Sequence, residues 1–388
     1  MTKITAALQK LTGYYLAFIS LGIAFAVLGP TLPALAERTH SDLSTISILF
    51  TAREMGTMLS SLFGARLYDH FPGHRLLTIA LFVLAVTMGL TPFMPAVWML
   101  FIVFLFLGIF AGLITVGGNT LLMWEYKSRG APYLNGLHFC FGVGSFIAPV
   151  IVAQALRISG GIQWAYWILA FIMLPGLLFM ARLPSPVHPV ATHEDGKGKV
   201  NFGLVFLVAL FLFMYVAMET SYGGWISSYM VVTGLSNEAG AAYLASAFWG
   251  TYTVGRLLGI PAAMRFSPEK ILSIALSGAL IFLCILAVFP LSSTVIWIGS
   301  CGFGLVIGPI VATTVALAER RIRISGRITG LIFVGGSLGA MTVPWLIGRL
   351  FLIAPPQVLF YTLIGIVIVA MGVLFIINVS KKQAVSLP

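Results

Sequence analysis

Apolar residues run through this chain in long, almost unbroken stretches separated by short polar turns, without the strict alternation of a half-buried strand. Set against the turn signals, the stretches fall near residues 13–36, 43–67, 76–95, 98–123, 132–157, 163–182, 202–231, 237–264, 270–289, 293–317, 327–350 and 357–379. Each matches the ~20 mostly apolar residues that a helix needs to cross a bilayer. The pattern predicts an all-α integral membrane protein of twelve transmembrane helices. The first run follows Lys3 and Lys10 and ends in Ala34-Leu35-Ala36, which imitates a signal-peptide cleavage site. It is longer than the ~7–15 apolar residues of a signal core, and is read as an integral helix.

Composition sharpens this reading. Hydrophobic residues make up 59% of the 388 and charged residues 9%, with a mean hydropathy of +1.03. Soluble domains carry about a quarter charged residues. Twelve spans leave only short loops, so a sizeable soluble catalytic domain is excluded, and no Gly-x-x-x-x-Gly-Lys-Ser/Thr loop is present to serve an ATP-driven pump or enzyme. The net charge of +11 orients helices here, with no nucleic-acid partner expected. With the N-terminus inside, seventeen Lys and Arg fall in inner loops and tails, whereas only Arg38, Arg157 and Arg349 fall outside. Arg53 and Arg256 lie within spans. Both termini are therefore expected in the cytoplasm, with the chain in the inner (plasma) membrane of a bacterium. Cys140, Cys284 and Cys301 have no metal-ligand spacing, and neither a metal nor a cofactor is expected beyond a coupling proton or sodium ion.

The polar, proline-rich stretch 184–201, with His188 and His193, reads as a cytoplasmic linker between an N-terminal half (1–183) and a C-terminal half (202–388). The two halves match at an offset of about 195 residues. His70-Phe71-Pro72-Gly73-His74-Arg75-Leu76-Leu77 lies over Arg265-Phe266-Ser267-Pro268-Glu269-Lys270-Ile271-Leu272, Gly29 over Gly224, and Pro149 over Pro344. At nearly the same offset Gly136 lies over Gly330, and Gly108 and Gly112 over Gly304 and Gly308. Two parallel six-helix repeats are the organisation of major facilitator transporters, whose substrate site lies at the membrane midplane.

The loop after the second span, Gly64-Ala65-Arg66-Leu67-Tyr68-Asp69-His70-Phe71-Pro72-Gly73-His74-Arg75, resembles the major facilitator signature. Gly64, Asp69, Gly73 and Arg75 are accordingly expected to form an inner gate. Gly117-Gly118-Asn119, Leu137-His138-Phe139 with Gly142, Gly144 and Pro149, Glu219-Thr220-Ser221-Tyr222-Gly223-Gly224-Trp225, Phe248-Trp249-Gly250 and Gly255-Arg256-Leu257-Leu258 resemble the fucose permease and sodium-dependent glucose transporter-like branch. That resemblance implies secondary active transport of a sugar or related polar metabolite. Members of the branch usually carry an acid four positions before the asparagine of span four, where this chain has Thr115. The alternatives are an organic-anion or drug-type exporter or antiporter, and a non-transporting membrane receptor.

Ionisable groups within spans are costly and by default face a polar cavity or one another. Helical spacing gathers Thr115, Gly118 and Asn119 on span four, and Asn135, His138, Gly142 and Ser145 on span five. It likewise gathers Glu219, Tyr222 and Gly223 on span seven, and Trp249, Tyr252 and Arg256 on span eight. Asn119, His138, Tyr222, Trp249, Tyr252 and Arg256 are the candidate substrate contacts. Glu219, with Glu54 as second candidate, is expected to carry the coupling ion, helped by backbone carbonyls loosened at a Gly223-Gly224 break. Arg53 and Glu54, being adjacent on a helix, are not expected to neutralise each other. Trp225 is placed at the outer interface as belt or gate. The expected partners are a small-molecule substrate and membrane lipid, with the protein a monomer.

Overall fold

The computed structural model describes residues 3–127, 130–186, 201–322 and 326–380, so most of the linker, with His188 and His193, lies outside the described residues. Fifteen α-helices follow in order: α1 (Lys3–Ala26), α2 (Leu28–Arg38), α3 (Leu43–Ile46), α4 (Ile48–His70), α5 (Gly73–Leu90), α6 (Val97–Tyr126), α7 (Ala131–Ser159) and α8 (Gln163–Ala181), then α9 (Phe202–Val232), α10 (Glu238–Arg265), α11 (Pro268–Val288), α12 (Ser293–Ile307), α13 (Ile310–Arg321), α14 (Gly326–Leu350) and α15 (Val358–Val379). Among the described residues there is no strand.

These helices compose twelve spans in the expected order. Among the described residues nine are long and apolar enough to cross a membrane outright, and α1 with α2 form a tenth that bends by 47°. The remaining two, α4 and α10, are diluted by Arg53, Glu54, Arg66 and Asp69 and by Glu238, Arg256 and Arg265 respectively. At 23 and 28 residues they still exceed the spanning length. The bend between α1 and α2 has a local cause: Pro30 has no N–H to offer the Ala26 carbonyl one turn back, and its ring crowds that carbonyl. Pro309 interrupts α12 and α13 in the same way.

The chain forms two compact units. One comprises Met1–Val190 with Gly224–Gly250, and the other Ala191–Gly223 with Thr251–Pro388. In the first, a Cβ on Gly144 of α7 would lie 2.0 Å from the Ile19 carbonyl oxygen of α1. In the second, a Cβ on Gly339 of α14 would lie 2.2 Å from the Phe213 carbonyl oxygen of α9. Gly144 and Gly339 stand one repeat apart, so the first and fifth spans of each half approach backbone to backbone through the same device. The sequence duplication is thus a duplication of packing.

Candidate functional site

Within the first unit, Arg53 and Glu54 of α4 are 4% and 7% exposed, which in a membrane demands a partner for each. They supply one to each other: Arg53 Nε donates to Glu54 Oε1 at 2.9 Å, and Nη2 lies 2.9 Å from the same oxygen. This corrects the expectation from helix geometry. Adjacent Cβ atoms diverge, but the arginine side chain is long enough to turn back across the helix. Its remaining Nη1 donates to the Phe25 carbonyl at 2.8 Å, beside the α1–α2 bend, and its guanidinium lies 4.4 Å from the Phe25 ring centre. Phe25 in turn meets Trp249 edge-on at 5.5 Å and Phe141 at 5.5 Å. Trp249 therefore belongs to an aromatic cluster around the Arg53–Glu54 pair.

Asn119 and His138 also lie in this unit. Asn119 Nδ2 donates to the Thr115 carbonyl on its own helix at 2.7 Å. The exposed His138 meets the Phe18 ring of α1 edge-on at 6.1 Å, and that ring also covers Gly118, where a Cβ would come within 2.2 Å. Ser145 is buried and donates to the Phe141 carbonyl at 3.0 Å, which makes it a packing residue of α7. Trp225 is wholly buried, its ring 5.8 Å from that of Phe50.

The second unit holds a buried polar network that brings together Glu219, Tyr252 and Arg256. Arg256 Nη2 donates to the Tyr252 hydroxyl, and its guanidinium sits 4.7 Å from the Tyr252 ring centre. The Glu219 carboxylate, 6% exposed, hydrogen-bonds the same hydroxyl. Tyr215 completes the set, its hydroxyl 3.1 Å from that of Tyr252. Sequence reasoning passed over Tyr215, although it stands four residues before Glu219 on the same helix face. Tyr222 is placed differently: it is fully buried, shares a 2.6 Å hydrogen bond with Ser300, and packs on Phe303 at 4.6 Å. Ser300, on α12, carried no signal in the sequence beyond being a polar residue in an apolar run.

The expected break at Gly223-Gly224 is corrected. Helix α9 runs unbroken from Phe202 to Val232, so its carbonyls there stay in the helical ladder. Gly224 instead makes room for the Phe50 ring, which a Cβ would meet at 2.6 Å. Around the turn from α4 to α5, Gly64 near the end of α4 and Gly73 at the start of α5 pack closely on α6, where a Cβ on Gly73 would press on Leu121 at 2.3 Å. Asp69 and Arg75 are exposed there. The neighbouring His74 is buried and tied to Tyr14 by a 2.7 Å hydrogen bond, a contact not foreseen.

Comparison with known proteins gives this arrangement a family. Over 374 residues, 87% of this chain and 88% of the relative, it is 28% identical to sodium-dependent glucose transporter 1A of Mus musculus. The solved structure of a D-xylose-proton symporter superposes with a TM-score of 0.77 at 13% identity, covering 95% of this chain and 97% of that one. A bacterial homologue of the human lysosomal transporter Spinster, in an inward-facing and occupied conformation, gives 0.78 at 12%, covering 100% of each chain. At such identities the structures speak for the fold. The Major Facilitator Superfamily model matches residues 14–344, more than four fifths of the sequence, and the chain, a transporter rather than an enzyme by its relatives, belongs to that superfamily.

Proposed function

We propose that this protein is a cation-coupled secondary transporter of a sugar or related small polar solute, working by alternating access, with Glu219 as the coupling residue. The observation that carries the proposal is the Glu219–Tyr252–Arg256 network. It joins a buried carboxylate and a guanidinium through one tyrosine hydroxyl, in a chain whose span four has Thr115 at the place where members of the branch it resembles usually carry an acid. Coupling requires a group whose charge or occupancy differs between transport states. A carboxylate that can exchange its Tyr252 and Arg256 partners for a proton or a sodium ion meets that requirement. Glu54, the second candidate, is already neutralised by Arg53 and is better suited to structure.

The sugar assignment is supported by the relatives, which include sodium-dependent glucose transporters of mouse and human. The orientation proposed has both termini cytoplasmic, from the charge bias of the loops.

Proteoliposomes loaded to impose a proton or a sodium gradient test this directly. Wild-type protein should concentrate a hexose under one of the two gradients, and Glu219→Gln should lose accumulation while retaining exchange of labelled for unlabelled sugar. Accumulation that survives in Glu219→Gln removes the coupling role. A wild type that moves no solute under either gradient removes the transport proposal.

A further inference from the structure

At the end of the bundle where α5 begins and α8 stops, the first unit has a cavity of about 710 Å³. Among the described residues its charged lining is Arg75, from the start of α5, and Arg182, just past α8, with no carboxylate. Both arginines are exposed, and neither ion-pairs within 4 Å among the described residues. Two guanidiniums lining one hollow concentrate positive charge there, which an anion would offset.

The remaining polar lining narrows the ligand. His74 is occupied at both ring nitrogens: Nε2 meets the Tyr14 hydroxyl at 2.7 Å and Nδ1 the Leu183 carbonyl at 3.3 Å. Ser185 accepts the His74 backbone N–H at 3.0 Å, which leaves its own O–H to donate. From Ile79, which also lines the cavity, α5 exposes an apolar stripe of Ile79, Phe82 and Val86, at 53%, 56% and 39%. A donor set of two guanidiniums and a hydroxyl, continuous with a lipid-facing apolar stripe, matches a phosphate that carries acyl chains.

We propose that this cavity binds the headgroup phosphate of an anionic phospholipid, with Arg75 and Arg182 on the phosphate and the acyl chains along α5. The site is particular to the first half. At the repeat offset Arg75 becomes Lys270 but Arg182 becomes Ile377 and His74 becomes Glu269, which pairs with Arg321 at 3.1 Å. This proposal is independent of the solute transported and needs only that α5 and α8 end at a membrane boundary.

The test is thermal unfolding of the purified full chain in detergent, titrated with phosphatidylglycerol, phosphatidylcholine or glycerol phosphate. Phosphatidylglycerol should raise the unfolding temperature at concentrations at least tenfold below those at which phosphatidylcholine acts. Arg75→Gln with Arg182→Gln should weaken that effect tenfold or more. The double variant Lys270→Gln with Arg320→Gln, which removes as much charge from exposed positions outside the cavity, should keep it. Equal losses in the two double variants would reduce the effect to general surface charge and overturn the site, as would full protection of the pocket variant. Glycerol phosphate protecting as well as the phospholipid would assign the cavity to a soluble phosphate ester and overturn the lipid proposal. Should the pocket double variant fail to fold, Thr78→Trp, which fills the cavity with both arginines in place, should weaken the phosphatidylglycerol effect. Undiminished protection in Thr78→Trp overturns the site.

Discussion

Replacing Glu54 with methionine, of similar volume, would leave the buried Arg53 guanidinium with only the Phe25 carbonyl and ring as partners among the described residues. Removing one member of a buried ion pair costs about 3–5 kcal/mol, because the other charge stays desolvated without its counter-ion. The surviving Phe25 contacts place the expected loss at the lower end, about 3 kcal/mol, or on the order of a hundredfold in the unfolding equilibrium. The Lys10–Glu125 pair is the natural reference. It is equally short at 2.8 Å but its side chains are 17% and 22% exposed, and Glu125→Met should cost no more than about 1 kcal/mol. Replacing both Arg53 and Glu54 with methionine removes both charges and should return stability to within about 1 kcal/mol of the wild type. Unfolding by sodium dodecyl sulfate titration in mixed micelles reads all four proteins on one scale. A Glu54→Met loss below 1 kcal/mol, or a double variant as unstable as the single one, would refute the idea that the pair is mutually neutralising in a low-dielectric site.

Three further outcomes follow from contacts already described. Gly144→Ala should destabilise strongly, since its Cβ would fall 2.0 Å from a backbone oxygen, whereas Gly365→Ala, with open space around it, should be neutral or slightly stabilising in the same titration. Tyr222→Phe should cost about 0.5–1.5 kcal/mol, because Ser300 keeps its 2.6 Å bond to the Ile296 carbonyl and is not orphaned; a loss above 3 kcal/mol would mean the hydroxyl does more than that. Asp69→Asn should slow transport while leaving equilibrium substrate affinity within a few-fold, and an unchanged transport rate would remove Asp69 from the gate.

Much of the architecture is legible in the chain itself, because a bilayer makes local demands. Each span must satisfy its own backbone and present about 20 apolar residues, so spans are visible one at a time. The repeat is equally local, and the structure shows why it persists: Gly144 and Gly339 each admit a neighbouring backbone that no side chain would allow. What sequence periodicity could not supply is the rotation and tilt of each helix, which decide the partner of every polar group. Tyr14 and His74 meet across 60 positions and Tyr222 and Ser300 across 78, and neither pair has a spacing signal. Arg53 and Glu54 stand side by side and pair, against the simple rule for adjacent helical residues, because side-chain length overrides Cβ direction once both groups are buried. The two glycines at 223 and 224 read as a break, but the helix is intact and Gly224 makes room for the Phe50 ring, since nothing in glycine itself says whether the freed space holds water or a ring. The polar residues that matter were therefore identifiable as a set from their cost in lipid, whereas their grouping into an Arg53–Glu54–Phe25 cluster and a Glu219–Tyr252–Arg256 network was decided by how the helices pack.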